Sequence, residues 1–241
     1  MAAYLGAKLN PESGFENDVC IHVKPVTLDK VRDGDWVDFL DGPHLFELLP
    51  KRPKVKVIAG SLYSYGYIKE RIPNELVYIP HHHINTDRLR RTREGVTTAG
   101  YLGSASPIAF EIYGKIREAL KKIGIEYITR FDFKTREDAI DLYKSMDILV
   151  IGAWELGDPS PYKIPTKIIN AASFGIPVVA YPLKGYMDVE GYYFHASNMD
   201  ELISAVERLK DKTFYEQSIS KGFDMAENYH IEKIAEMYRK L

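Results

Sequence analysis

The first 80 residues alternate short apolar runs with short amphipathic stretches. Four of the runs are apolar without strict alternation: residues 18–25, 35–42, 54–61 and 75–81. The stretches between them, such as GPHLFELL and SLYSYGYIKERI, have the length of helices of two or three turns. Apolar strands separated by helices are typical of a parallel sheet that is covered on both faces. The first half therefore predicts a small α/β unit.

The pattern restarts after residue 95 with longer elements. Strands are predicted at residues 96–104, 125–131, 147–153, 176–182 and 191–196, with helices at 107–124, 135–146, 165–175 and 198–212 and a mostly helical tail. Pro107 in the first turn and Gly124 just past the end mark one helix. Thr135, with Asp138 three residues on, and Asn198 are predicted N-caps of two others.

The two patterned halves are separated by the polar, aperiodic segment HHHINTDRLRRTREG. We therefore expect an N-terminal domain at 1–84, a linker at 85–95, a C-terminal domain at 96–225 and a terminal helix at 226–241. The predicted fold class is α/β, with two Rossmann-like βαβ domains that face a cleft. Such sheets bind ligands outside the carboxyl ends of their strands, so the cleft is the expected place of function.

The segment SPYKIPTKIINAASFGIPVVAYP predicts an anion site. Pro165 begins a helix whose first N–H groups lack intrahelical acceptors and favour negative charge. The polar side chains at this helix start are Lys163, Thr166, Lys167 and Asn170. Together they suit a phosphate or diphosphate. The alternative is that the lysines are ordinary solvated surface side chains.

Two more loops are expected at the same edge. AGYLGSASP contains Gly103 and Ser104 between a strand and a helix, and PLKGYMD contains Lys184, Gly185 and Tyr186 after the next strand along. The second loop is also compatible with an ordinary turn. Arg130, Phe131 and Phe133 end another strand, where they could bind a nucleotide base or simply pack in the core.

Composition narrows the class of protein. The 241 residues are 45% hydrophobic and carry a net charge of −2, which gives no basic excess for nucleic acid binding. The single cysteine excludes an internal disulfide. No secretory signal pattern and no apolar run long enough for a membrane span are visible, so a soluble, cytoplasmic protein is expected.

Residues 96–212 resemble the nucleotide-sugar-binding domain of GT-B glycosyltransferases of the group 1 type. The resemblance lies in AGYLGS, AIDLYKSMDILVIGA and KIINAASFGIPVVAYP, and VYIPHHHIN is similar to the interdomain hinge. It implies a GT-B-like fold with a reduced N-terminal, acceptor-side domain and a last helix that packs back onto it. Many retaining members carry two glutamates eight positions apart, where this chain has Tyr162 and Asn170.

The resemblance implies transfer of a sugar from a nucleoside diphosphate sugar, of UDP or GDP type, to an unknown glycan, lipid, protein or nucleic acid acceptor. Two alternatives stay open: a non-catalytic module that binds a nucleotide or nucleotide sugar, and a sugar-nucleotide epimerase. Retention and inversion are not distinguished. The oligomeric state is not indicated.

No cofactor beyond the nucleotide sugar is required by this chemistry, and no metal site is expected. Three consecutive histidines at 81–83 point alternately to opposite sides, so His81 and His82 are interpreted as lining the cleft or hinge. The carboxylates of Asp38 and Asp41 are a weak metal pair. Asp41 and His44, in DGPH after a first-domain strand, are candidates for a general base, although Asp-Gly-Pro is also a simple turn.

Overall fold

The protein contains two parallel β-sheets, each flanked by helices. The structure, a computed structural model, describes residues 1–24, 26, 28–40, 42–91, 94–103, 107–152 and 162–241. The α/β class and the parallel sheets predicted from the sequence are confirmed. Among these residues no helix is long and apolar enough to cross a membrane.

The first sheet has four parallel strands in the order β1-β2-β3-β4. Its elements in chain order are α1 (Ala2–Leu5), β1 (Ile21–His22), β2 (Trp36–Asp38), α2 (Leu45–Leu48), β3 (Lys56–Ala59), α3 (Leu62–Lys69) and β4 (Leu76–Tyr78). The strands are shorter than predicted, β1 most of all. Val19 and Val23 beside β1 are more than half exposed, because this edge strand pairs with β2 alone and is not covered on both faces.

The second sheet has five parallel strands in the order β6-β5-β7-β8-β9. Its elements are β5 (Thr98–Leu102), α4 (Pro107–Lys122), β6 (Glu126–Arg130), α5 (Arg136–Ser145), β7 (Ile148–Ile151), α6 (Thr166–Ser173), β8 (Val178–Ala180), β9 (Phe194–His195), α7 (Met199–Arg208), α8 (Lys212–Glu227) and α9 (Ile231–Tyr238). The predicted loop PLKGYMD contains a 3-10 helix, Lys184–Val189, rather than a simple turn.

The predicted helix signals are confirmed in the second half. The side chain of Thr135 accepts a hydrogen bond from the backbone N–H of Asp138 at 3.1 Å, and the Asp138 carboxylate accepts one from the Thr135 N–H at 3.0 Å. Asn198 caps α7 through the N–H of Glu201 at 2.9 Å. Gly124 and Gly175 follow α4 and α6 with φ of 75°, a conformation that favours glycine.

Apolar side chains cover both faces of the first sheet. Val37, Phe39 and Val57 pack on one face with α2 and α3. Trp36 and Ile58 pack on the other face, where Ile234 of α9 joins them. The last helix therefore contacts the first sheet, although it follows the second sheet in the chain.

Candidate active site

The carboxyl edges of the two sheets face each other. Gly60 directly follows β3, and a Cβ atom at this position would lie 3.0 Å from the Cγ2 of Ile164, in the loop before α6. Tyr162, two residues earlier, is 8% exposed and packs with Phe39 and Phe46 of the first half at ring centroid distances of 5.5 and 5.9 Å. The loop before α6 therefore closes against the first sheet.

Strand order reverses at β5, which has β6 on one side and β7 on the other. In open parallel sheets the crevice at such a reversal is the usual ligand site. Gly103 follows β5 at this point, and its N–H donates to the carbonyl of Arg130 at 3.2 Å. A Cβ at Gly103 would collide with the Tyr101 ring, so the glycine lets that ring lie over the turn. Ser104 lies outside the described residues.

The start of α6 presents the residues expected to bind an anion. Pro165 is buried and directly precedes the helix, which leaves the N–H groups of its first turn without intrahelical acceptors. Lys163 is exposed, and Thr166 and Lys167 are half-buried. The Nζ of Lys167 lies 5.6 Å from the ring centroid of Tyr101, so this ammonium group is directed toward the end of β5.

The loop after β8 lies against the loop before α6. Gly185 packs on the backbone of Lys163 so closely that a Cβ atom would overlap the Lys163 carbonyl. The Nζ of Lys184 lies 5.9 Å from the ring centroid of Tyr63, on α3 of the first half. Tyr186 is buried, and burial raises the pKa of its hydroxyl. Two lysine-bearing segments are thus held together beside the first half.

Asn170 faces the connector, which is the segment between β4 and β5 that contains Ile84 and Asn85. It is 7% exposed, and its Oδ1 accepts a hydrogen bond from the backbone N–H of Ile84 at 2.9 Å. One turn further, the carbonyl of Ser173 accepts a bond from the Nδ2 of Asn85 at 2.7 Å. These bonds fix α6 to the connector, a role that the local sequence does not reveal.

Of the residues expected at the nucleotide base, Arg130 bonds to Gly103 through its backbone carbonyl. Arg130 ends β6 with a largely exposed side chain. Phe131 meets Phe110 edge-on at a centroid distance of 4.7 Å, and Tyr101 is 6.1 Å away. Phe133 is 42% exposed. The structure therefore brings an aromatic cluster to the same edge as the lysines.

The first half contributes a histidine–carboxylate pair that sequence reasoning missed. Asp38, the last residue of β2, is 4% exposed, and its Oδ2 lies 3.0 Å from the Nε2 of His81. The other oxygen, Oδ1, is buried without a hydrogen-bond partner among the described residues. Of the predicted base candidates, His44 is exposed directly before α2, and Asp41 lies outside the described residues.

The other two histidines of the triplet have structural contacts. The Nδ1 of His82 pairs with the carbonyl of His83 at 2.8 Å, and burial lowers the pKa of His82. His83 is 3% exposed, with its ring 5.3 Å from that of His230. The three side chains therefore have separate neighbours among the described residues.

One group of potential metal ligands occurs in the described part of the chain: Glu227, His230 and Glu232. The Arg88 guanidinium already occupies its centre, 2.9 Å from Glu227, 3.2 Å from the Nδ1 of His230 and 2.7 Å from Glu232. These ion pairs raise the pKa of Arg88, which keeps the guanidinium charged. The group is thus an arginine-centred contact between the connector and the last two helices.

Comparison with known proteins agrees with this architecture. Residues 96–212 match the family model described as glycosyl transferases group 1. No curated protein matches the chain by sequence. A variant of S. aureus TarM in complex with UDP is similar with a TM-score of 0.62 at 15% identity, over 86% of this chain and 50% of that one.

Two further solved structures show the same fold. Anabaena HepE in complex with UDP and glucose has a TM-score of 0.58 at 14% identity, over 86% of this chain and 72% of that one. The UDP-forming α,α-trehalose-phosphate synthase of Burkholderia vietnamiensis has a TM-score of 0.62 at 7% identity, over 86% of this chain and 65% of that one. The match to TarM covers 49% of that protein, so this chain spans about half the length of TarM.

Two facing parallel sheets, together with these similarities, define a GT-B fold. The chain has a short form of that fold, and its residues 96–212 match the group 1 glycosyltransferase family model.

Proposed function

We propose that the protein transfers a sugar from a nucleoside diphosphate sugar, of UDP or GDP type, to an acceptor bound on the first half. The observation that carries the proposal is the contact between the two lysine-bearing loops, where Gly185 packs on Lys163 at the start of α6. Backbone N–H groups and ammonium groups at this edge suit a diphosphate, whose negative charge grows as the sugar leaves.

Each predicted donor residue other than Ser104 has a role in this proposal. Lys163, Thr166, Lys167 and Lys184 bind the diphosphate, and Gly103 admits it to the end of β5. Gly185 and Tyr186 hold the second loop in place, and Asn170 fixes α6 to the connector. Arg130, Phe131 and Phe133 bind the base. In this proposal the lysine side chains supply the positive charge that a metal ion would otherwise bring to the diphosphate. We therefore expect sugar transfer to continue in the presence of a metal chelator.

Thermal unfolding with UDP, GDP, ADP and their sugars tests donor binding. A ligand at 100 times its dissociation constant stabilises the native state by about 2.7 kcal/mol. For a chain of this size, that raises the midpoint by roughly 5–10 °C. We expect such a shift for wild type with UDP or GDP compounds and a much smaller one for Lys167→Ala. No shift at millimolar ligand would contradict the proposal.

Lys121→Ala is the matched control for the binding experiment. Lys121 is an exposed lysine in the last turn of α4, which leads into β6 and so lies at the opposite, amino edge of the sheet. The substitution Lys121→Ala changes the net charge by the same amount as Lys167→Ala. Equal loss of the ligand shift in both variants would indicate non-specific charge attraction in place of a diphosphate site.

A non-catalytic nucleotide-sugar-binding module is the second candidate. The observation in its favour is that Tyr162 and Asn170, at the positions of the two glutamates of many retaining relatives, are buried in contacts with the first half and the connector. Both candidates predict donor binding. Release of free sugar from a bound donor in water favours the transferase, whereas binding without any release favours the module.

A further inference from the structure

A small cavity lies between the connector and the C-terminal end of α8. Its volume is about 80 Å³, whereas a single water molecule needs roughly 10–15 Å³. Its lining comes from the connector, from Ser173 of α6 and from the end of α8. The cavity therefore has room for several water molecules or for one small ligand, and it is too small for a nucleotide.

The cavity is at the opposite end of α6 from the lysines of the proposed donor site. Thr166 is the first residue of α6 and Ser173 is the last, seven positions further on. At a rise of about 1.5 Å per residue, the two ends of this helix are roughly 10 Å apart. The cavity is therefore a separate feature and not an extension of the donor site.

Most polar side chains around the cavity already have partners. The carboxylate of Glu227 accepts a hydrogen bond from the Arg88 guanidinium at 2.9 Å, so these two charges offset each other. The Nδ2 of Asn85 donates to the carbonyl of Ser173 at 2.7 Å and to that of Leu89 at 2.8 Å. These groups form fixed walls that do not need a ligand.

Two helices, α6 and α8, end at the cavity, and free carbonyl groups at a helix end would repel an anion. The carbonyls at these ends are occupied. That of Ser173 accepts from Asn85, and that of Ala226 accepts the backbone N–H of Tyr229 at 2.8 Å. Their hydrogen bonds weaken the negative potential that the helix ends would otherwise bring to the cavity.

Two groups of the lining have no polar partner in the described part of the chain. His83 is 3% exposed, and its Nδ1 is buried without a hydrogen bond. Arg90 is exposed, and its guanidinium carbon lies 4.4 Å from the ring centroid of Phe223, with no carboxylate within ion-pair distance among the described residues. Once the internal pairs are set aside, one guanidinium and one imidazole therefore remain for a ligand.

A guanidinium and an imidazole at one cavity suit an oxyanion. The planar guanidinium presents paired N–H donors that match two oxygens of a carboxylate or a phosphate. One nitrogen of a neutral imidazole is a donor, so His83 can offer an Nδ1–H to a further oxygen. The Phe223 ring under Arg90 keeps the guanidinium at the cavity by a cation–π contact.

We propose that this cavity is a second binding site, for a small oxyanion that Arg90 and His83 hold: a phosphate group or a carboxylate of similar size. The proposal goes beyond the proposed function and does not depend on it. Both binding residues belong to the connector, and α8 supplies part of the opposite lining. A bound anion would therefore hold the connector against α8 and stabilise the native state.

Thermal unfolding with inorganic phosphate, glycerol phosphate and succinate, each compared with sodium chloride at equal ionic strength, is the first test. At least one of these anions should raise the midpoint of wild type. The three anions distinguish free phosphate, a phosphate ester and a carboxylate as the ligand. In Arg90→Gln the apparent Kd should rise by at least about tenfold, the loss expected for a hydrogen bond to a charged group.

Arg208→Gln is the matched control for Arg90→Gln. Arg208 is also an exposed arginine over a phenylalanine, with its guanidinium carbon 4.0 Å from the ring centroid of Phe214. This variant removes the same charge at the end of α7 and should keep the wild-type response. Equal responses in wild type and both variants would show a general salt effect and overturn the proposal.

Proton–nitrogen NMR of the histidine rings, assigned on the labelled protein, locates the anion. Inorganic phosphate should shift the His83 ring signals in wild type and in Lys167→Ala, but not in Arg90→Gln. A midpoint shift that is lost in Lys167→Ala and kept in Arg90→Gln would place the phosphate at the start of α6 and overturn the proposal. An unchanged His83 signal with all three anions would show that the cavity holds water only, and would overturn it as well.

Discussion

The carboxylate of Asp188 accepts the backbone N–H of Leu62, with both oxygens at 3.0 Å, although the two residues are 126 positions apart. Leu62 is the first residue of α3, whose N-terminal N–H groups favour an anion. The hydroxyl of Tyr78 donates to the same carboxylate at 2.9 Å. This bridge joins the 3-10 helix that contains Lys184 to the first half, so it is expected to control the width of the cleft.

Asp188→Asn should change how stability depends on pH. Burial raises the pKa of Asp188 in the folded state despite its hydrogen bonds, so the folded protein holds this proton more tightly than the unfolded chain does. The contribution of the Asp188 carboxyl to the free energy of unfolding is complete below about pH 4, where this carboxyl is protonated even in the unfolded chain. The contribution is lost as pH rises through the pKa that Asp188 has in the folded protein. Wild type should therefore lose stability relative to Asp188→Asn over that window.

Urea unfolding of both proteins from about pH 3.5 to about pH 7 measures this difference. Asp188→Ala is the control, since it leaves the Leu62 N–H without its acceptor and should cost about 1–3 kcal/mol. A wild-type advantage over Asp188→Asn that grows with pH would contradict the prediction.

Gly185→Ala should abolish donor binding and lower stability. The new Cβ atom would overlap the backbone carbonyl of Lys163, which cannot move without displacing the start of α6. Overpacking of this kind costs about 1–3 kcal/mol. The measurements are thermal unfolding and the shift by UDP.

Gly114→Ala is the matched control for Gly185→Ala. Gly114 lies within α4, where an added Cβ would meet nothing within 4 Å. Alanine is favoured over glycine in a helix by up to about 1 kcal/mol, so this variant should be slightly stabilised and should bind UDP normally. A Gly185→Ala protein that also binds UDP normally would show that the two loops do not form the donor site.

Asn170→Ala should lower stability by about 1–3 kcal/mol, because the N–H of Ile84 loses its acceptor in a largely buried contact. Asn170→Asp keeps an oxygen at that position and should be less harmful. Chemical unfolding measures both costs, and UDP titration measures donor affinity. If Asn170 acts through the connector, donor affinity should fall less than in Lys167→Ala. A larger loss in Asn170→Ala than in Lys167→Ala would indicate direct contact with the donor.

His83 should make the protein sensitive to acid. Burial, reinforced by neighbouring His230, lowers the pKa of His83 to about 4, from a usual value of 6.5. The unfolded chain therefore binds the proton more tightly, and the contribution of this group is present above about pH 6.5 and is lost as pH falls toward 4. The full difference corresponds to about 3 kcal/mol.

His83→Leu removes the titrating ring at similar volume and should flatten this loss of stability between pH 7 and 4, as measured by denaturant unfolding. His195→Leu, at an exposed histidine on β9, is the control for the loss of an imidazole ring at a site that is not buried. An unchanged slope in His83→Leu would show that another group causes the acid sensitivity.

The order and type of most elements could be predicted from the sequence, because they depend on local signals. Thr135 with Asp138, Asn198, and the glycines at 124 and 175 act within a few residues, so the helix ends were predicted close to where they lie. The length of the edge strand β1 was overestimated, because an apolar run does not reveal that a strand pairs on one side only.

The start of α6 and its lysines were likewise visible in the sequence, because helix termini and glycine turns are local. Contacts between the two halves of the protein were not visible in the sequence. Asp188 with Leu62, Tyr162 with Phe39 and His81 with Asp38 are distant in sequence, and no local pattern records which side chains meet when separate strand ends converge. The sequence determined the elements and the position of the lysine-bearing segment at the start of α6. Tertiary structure decided what faces that segment, because the two sheet edges meet only once the chain has folded.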